Sequence, residues 1–192
     1  MVNQLRPALV MTALFTLLLG LAYPLAVTSV AQVAFPDQAN GSLVRDAGGR
    51  VVGSALIGQP FAGATYLHPR PSAAGDGYDA AASSGSNMGP LNADLAARVA
   101  ETARAIRVED GPGVIPADAV TTSGSGLDPD VSPAYARLQA ARIARARGIP
   151  VQQVQSIIDA QTEGAFLGFI GQPHVNVLMT NRALDARFGA EG

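Results

Sequence analysis

The sequence predicts a membrane-anchored α+β protein: one N-terminal transmembrane helix followed by a single small mixed α/β domain outside the cytoplasm. Three observations carry this. Between Arg6 and Asp37 lie thirty residues with no Asp, Glu, Lys, Arg or His. Beyond Phe35 apolar residues recur at helical spacing in several windows. Between those windows lie short alternating runs and Gly- and Pro-rich turns, which read as strands and loops. A chain of 192 residues has room for one such domain and an anchor.

Composition removes whole classes of function. All 13 basic residues are Arg. A Walker A loop needs a Lys to reach the β- and γ-phosphates, so the chain is no P-loop nucleotidase. Lysine Schiff-base chemistry goes with it. The absence of Cys excludes disulfide scaffolds, thiol nucleophiles and Cys-type zinc sites. A net charge of -2 leaves no electrostatic footprint for nucleic acid. Only two His are present, His68 and His174, and no spacing with carboxylates outlines a metal site.

The stretch Ala8 to Thr28 makes a helix of roughly 31 Å, the hydrocarbon thickness of a bilayer. Its ten Leu, Val and Phe residues favour insertion by about 3 to 6 kcal/mol. Pro24 bends the outer end. Arg6 precedes the span and Asp37 follows it, so the positive-inside rule puts residues 1–7 in the cytoplasm, 8–34 in the membrane and 35–192 outside. The alternative is a secreted binding module released by signal cleavage near Ala31, since Ser29-Val30-Ala31 has small residues at cleavage spacing.

The domain opens with two short strands around Gly48-Gly49, from Leu43 to Val52, and Val51 to Ile57 could extend the second. Gly58 to Pro90 is too long for an ordinary connection, and its aromatic, His and Arg content favours order. Leu91 to Val108 reads as a helix capped by Asn92, with Asp94 and Arg98 one turn apart on a solvated face. Val114-Ile115 and Ala119-Val120 read as short strands. Ser132-Pro133 starts a helix that runs to Arg147 and ends at Gly148. Pro150 opens another, with Val151, Val154, Ile157 and Ile158 as its apolar stripe, closed by Thr162-Glu163-Gly164. Val175 to Val177 alternates like a strand, and Leu178 to Phe188 is a final helix.

Four features invite functional readings. Tyr66-Leu67-His68-Pro69-Arg70-Pro71 is stiffened by two prolines and presents His68 and Arg70; the plain reading is a packed His and a local Arg ion pair. Gly85-Ser86-Asn87-Met88-Gly89-Pro90 could hold an anion on its amides, but serves equally as a capping turn. Ser123-Gly124-Ser125-Gly126-Leu127-Asp128 lacks the third Gly of a dinucleotide fingerprint and the spacing of a nucleophile elbow, so it reads as a turn feeding the helix at Pro133. Arg137, Arg142, Arg145 and Arg147 crowd one helix and could meet phosphate or lipid headgroups, with a solvated face as the default. Glu163 and Asn176 sit in two further short motifs. No Ser-His-Asp set or close carboxylate pair stands out, and no catalytic residue is expected.

Taken in order along the chain, the span ending near Tyr23-Pro24, residues 66–73, 85–90, 120–129 and 142–148, Thr162-Glu163-Gly164 and Val175-Asn176-Val177-Leu178 resemble the C subunit of Kdp-type potassium-transporting P-type ATPases. The likeness covers essentially the whole chain. Leu67, Thr122 and Asp130 depart from it, where an aromatic, Ala and often His stand. The resemblance implies an accessory subunit in the bacterial cytoplasmic membrane. Its partners would be a channel-like potassium-selective subunit and a separate ATP-hydrolysing subunit. The phosphorylated Asp of such pumps lies in Asp-Lys-Thr-Gly-Thr, which a Lys-free chain cannot contain. The family's C subunit is described as a catalytic chaperone raising the ATP affinity of the hydrolysing subunit. No cofactor motif is present, so ATP would be met only through that partner. The expected topology instead places the domain over the outer mouth of the potassium-selective subunit. The motif residues Tyr66, His68, Pro69, Arg70, Pro71, Ser86, Asn87, Ser123, Ser125, Asp128, Arg142, Arg145, Glu163 and Asn176 are then candidates for partner contact or for structural roles.

Overall fold

The absence of charge between Arg6 and Asp37 has a direct structural consequence. In the computed structural model, which describes residues 2–189, Leu5–Ala34 is one continuous helical stretch of 30 residues. Met1 and residues 190–192, the extreme ends of the expected cytoplasmic tail and outer domain, lie outside the described residues. The stretch consists of α1 (Leu5–Leu17), a π turn (Leu18–Ala22) and α2 (Tyr23–Ala34). Pro24 explains the turn. It has no N–H for the Gly20 carbonyl, and its ring crowds the preceding turn. The backbone widens instead, and the Tyr23 N–H reaches back five residues to the Leu18 carbonyl. No side chain of α1 or α2 is buried.

The chain divides into two compact units, Met1–Val52 and Gly53–Gly192. In the first, Phe35 ends α2 and a single turn, α3 (Pro36–Ala39), follows. A hairpin then pairs β1 (Leu43–Arg45) with β2 (Val51–Ser54). Asp46 organises its turn, accepting from the Gly48 and Arg50 N–H groups at 2.9 Å each. Gly49 supplies the left-handed residue the turn needs, at φ +80°. The second strand stops at Ser54 and does not extend to Ile57, because Leu56 N–H turns back onto the Ser54 hydroxyl.

The second unit is helical with a small sheet. Its helices are α4 (Ala93–Glu109), the single turn α5 (Ala117–Val120), α6 (Pro133–Arg147), α7 (Val151–Ala160) and α8 (Val177–Phe188). The caps follow the sequence. Asn92 accepts from Asp94 and Leu95 N–H, Ser132 from Tyr135 N–H, and Gly148 adopts φ +65° at the end of α6. Among the described residues no ion pair joins Asp94 to Arg98. Three short strands, β3 (Asp130–Val131), β4 (Thr162–Glu163) and β5 (His174–Asn176), form an antiparallel sheet with β5 in the middle. Val175 faces both Val131 and Thr162 in the register.

The structure corrects four expectations. Ala119-Val120 belongs to the helical turn α5, and Val114-Ile115 is loop. Pro116 sets up that turn, which carries Asp118 to the start of α6, where its carboxylate accepts from Ser132 N–H and Oγ at 2.7 and 3.0 Å. A negative group there complements the helix dipole. Thr162-Glu163 is a strand rather than a helix terminus, α7 having ended at Ala160. Val177 begins α8 instead of ending β5, because Asn176 is the N-cap and accepts from Met179 N–H at 3.1 Å. Strand β3 has no alternation to reveal it, being two residues long. The core brings together Leu67, Val131, Ile143, Val154, Ile158, Val175 and Leu184, with Tyr135 and small Ala residues of α6 between them.

Candidate functional site

Segment 58–90 holds no helix or strand, yet it is ordered by side chains that replace a sheet partner. Two buried amides hold its centre. Gln139 of α6 accepts from His68 N–H at 2.7 Å and donates to the His68 carbonyl at 3.1 Å. Asn181 of α8 does the same to Leu67, at 2.7 and 2.9 Å. Each amide thus supplies the donor and acceptor that a neighbouring strand would offer. Leu67 between them is fully buried.

Arg142 completes the clamp. Its side chain is 5% exposed and pairs with Asp110, 3% exposed, at 2.8 Å. Its remaining donors go to the carbonyls of Ala64 and Tyr66 at 2.7 and 2.9 Å and to Gln139 at 2.7 Å. Arg147 does similar work one turn on. It donates to the Thr65 carbonyl at 2.7 Å, pairs with Asp185 at 2.7 Å and lies over the Tyr66 ring at 5.1 Å. The expected solvated Arg face is therefore corrected. Arg137 and Arg145 are exposed, and Arg137 meets Asp159 at 2.8 Å. Arg142 and Arg147 point inward because segment 64–68 leaves carbonyls there that only multi-donor side chains can satisfy.

His68 is packed, as the plain reading expects. Its Nε2 lies 3.0 Å from the Gly63 carbonyl, and Nδ1 is 3.5 Å from Glu109. Burial, and then the nearby Arg142 charge, push its pKa below the ordinary value of 6.5. Arg70, between Pro69 and Pro71, forms its ion pair with Asp128 at 2.6 Å. The Tyr78 hydroxyl donates to the Arg70 carbonyl, and burial pushes that phenol up to about 12.

The loop 123–128 is the hub beneath this segment. Ser72 Oγ donates to the Gly126 carbonyl at 2.6 Å, and Ser84 N–H to the Ser125 carbonyl at 2.9 Å. Ser125 Oγ accepts from Leu127 N–H and sits 3.3 Å from the Ser123 hydroxyl. Gly126 takes φ +68°, and a Cβ there would lie 2.5 Å from the Ser84 carbonyl oxygen. This is the structural turn the sequence indicates. Ser86 is half-buried at the far side, and Asn87 is exposed with a left-handed φ of +52°. Asn176 ties the sheet in, donating to the Ala55 carbonyl and to Asp130 at 2.9 and 3.0 Å. Glu163 is exposed, 3.8 Å from His174. Asp130 is equally far from His174 and titrates above the usual carboxylate range, chiefly through burial.

The structure brings Tyr66, His68, Pro69, Arg70, Pro71, Ser123, Ser125, Asp128 and Arg142 into one continuous framework. It leaves Asn87, Arg145 and Glu163 facing solvent. Two clefts of about 520 and 500 Å³ flank Arg70. Among the described residues no His, Asp and Glu group is arranged to hold a metal ion. Gln139, Asn181, Asp110, Asp118 and Asp185 escape a motif search. The available signal is positional: Gln139 and Asn181 are amides within otherwise apolar helical stripes, where burial demands a partner.

The geometry defines a class: one lipid-length apolar helix joined to a small α/β unit whose turn-rich segments are pinned by buried side chains, the architecture of a single-span membrane-associated protein. Comparison with known proteins gives the particular family. The profile described as "KdpC: K+-transporting ATPase, c chain" matches residues 5–186, and the chain belongs to this family. Similar proteins described as "Potassium-transporting ATPase KdpC subunit" include one from Caulobacter sp. (strain K31), 68% identical over all of this chain and 98% of its own length. One from Beijerinckia indica is 65% identical over 98% of this chain and 96% of its own. One from Mycobacterium tuberculosis (strain ATCC 25177 / H37Ra) is 56% identical over 95% of this chain and 98% of its own.

Proposed function

We propose that the chain is the accessory subunit of an ATP-driven potassium-uptake complex of the bacterial cytoplasmic membrane. Its N-terminus lies in the cytoplasm and the unit after residue 35 lies outside. There it covers the outer mouth of the channel-like potassium-selective subunit and stabilises assembly with the ATP-hydrolysing subunit. The observation that carries this reading is the helix Leu5–Ala34, apolar on every side and buried nowhere. Such a surface is stable only in lipid or against other membrane helices. Arg6 in its first turn and Asp37 just beyond its end favour the stated orientation. Any influence on ATP affinity is exerted through the hydrolysing partner. In support, two of the four Arg residues that crowd α6, Arg142 and Arg147, are paired with Asp110 and Asp185.

Topology tests this most directly. The chain has no Cys, so Val114→Cys, at a position 93% exposed, gives one reporter thiol. An impermeant maleimide is expected to label it in intact spheroplasts, from outside. Labelling only after the membrane is opened would reverse the arrangement. Mass spectrometry of the mature N-terminus addresses cleavage: a start at Gln32 would replace the anchor with a released module. Titration of ATP against the purified chain is expected to show no saturable binding below millimolar concentration, and tight binding would move the nucleotide role onto this chain.

A further inference from the structure

The loop between β4 and β5 carries the densest exposed apolar surface of the second unit. Phe166, Leu167, Phe169 and Ile170 are between 51 and 77% exposed, within five consecutive residues. Elsewhere in this unit the exposed large apolar residues are the pair Leu56 and Ile57 and the scattered Met88, Leu91, Val108 and Val114. The two phenylalanines alone leave on the order of 300 Å² uncovered. No charged side chain lies between Gly164 and Pro173. Patches of this kind mark interaction sites.

The loop is also held in shape. Phe166 and Ile170 exchange backbone hydrogen bonds at 2.8 and 2.9 Å, and the Gly168 N–H donates to the Ala165 carbonyl at 2.9 Å. Leu167 and Gly168 both take positive φ, +52° and +80°. A left-handed backbone is unfavourable for Leu, and burial of its side chain does nothing here to offset that. The fold presents these apolar groups to solvent in a preformed turn, which reduces the ordering cost of binding.

We propose that Phe166, Leu167, Phe169 and Ile170 form a plug that inserts into an apolar groove on another subunit of the potassium-transporting ATPase. Charge decides between a protein groove and a lipid surface. The base of the loop carries Glu163 and Asp130, with His174 at 3.8 Å from each. It has no Lys, Arg, Trp or Tyr between Gly164 and Pro173. Segments that bind anionic bilayers through apolar insertion are flanked by basic residues. An acidic base opposes a lipid headgroup layer and fits a groove rimmed by Arg or Lys. The inference rests on membership of a multisubunit ATPase and is independent of which side of the membrane this unit occupies.

The test uses the full chain co-expressed with its partner subunits, with a benzophenone amino acid in place of Phe169. Irradiation of the purified complex is expected to give an adduct with another subunit, identified by mass, at an apolar segment next to Arg or Lys. An adduct with phospholipid alone, or none, overturns the proposal. The double variant F166S/F169S is expected to leave the complex about tenfold faster under detergent washing, with a melting curve like that of the unaltered chain. Unchanged retention also overturns it. External labelling at Val114→Cys without a cross-link removes this contact and keeps the orientation. Cytoplasmic labelling with the cross-link intact does the reverse.

Discussion

Arg142 illustrates how one side chain can stand in for a strand. Four hydrogen bonds leave it, two of them to carbonyls that have no strand partner. Arg142→Met would strand the buried Asp110 carboxylate, a loss of about 3 to 5 kcal/mol. Arg145→Ala, three residues away on the exposed face, is expected to change stability by no more than about 0.5 kcal/mol. Urea unfolding of the two variants checks the contrast. His68 makes a second prediction. Its folded pKa is depressed, so the unfolded chain binds the proton more readily. Stability therefore rises with pH up to the ordinary His value near 6.5 and is lost as pH falls below it. The raised pKa of Asp130 has the opposite sign, favouring the folded state at acid pH, but its window opens just above the usual carboxylate value of 3.8. Melting temperature measured from pH 7.5 to 5.0 is expected to fall, and His68→Gln to flatten that fall.

Among the elements, caps show which helix termini matter. Asn92 is exposed and only caps α4. Asn92→Ala should cost about 1 kcal/mol. Asn176 caps α8 and also binds Ala55 and Asp130. Asn176→Ala removes the cap and leaves half-buried partners unmet, so about 2 to 3 kcal/mol is expected. Equal losses in thermal unfolding would show that the ties to Ala55 and Asp130 contribute nothing. The helices themselves were readable in the sequence because Ser132-Pro133, Gly148 and Pro150 act locally. The three-stranded sheet was mostly hidden. Two- and three-residue strands have no period to detect, and the pairing of β3 with β5 joins Asp130 to Asn176 and Val131 to Val175, far apart in the chain.

At the scale of the molecule, the buried cluster is drawn entirely from residues after position 60. The apolar helix contributes none of it. Deletion of residues 2–34 is therefore expected to leave a chain that stays soluble without detergent and unfolds in one transition, with far- and near-UV circular dichroism coinciding. The same deletion is expected to abolish retention in membranes. Separate transitions for the two signals would mean that the remaining unit depends on the helix for its packing.

The sequence alone determined the apolar span, the long helices capped by Asn92, Ser132 and Gly148, and the family, since each rests on local pattern or on motifs kept in order. It also exposed the structural character of the turn at Gly126, through its failure to match any catalytic template. Only the tertiary structure decided what the Arg-rich helix and the stiff segment 66–71 do. Arg142, Arg147, Gln139 and Asn181 are spread over two helices, and nothing in their spacing shows that they converge on one stretch of backbone. Their purpose appears only when chain segments distant in sequence meet, because a buried carbonyl creates its demand for a donor at that moment. The exposed Phe166–Ile170 turn was decided in the same way: an apolar run gives no sign in sequence of whether the fold will cover it.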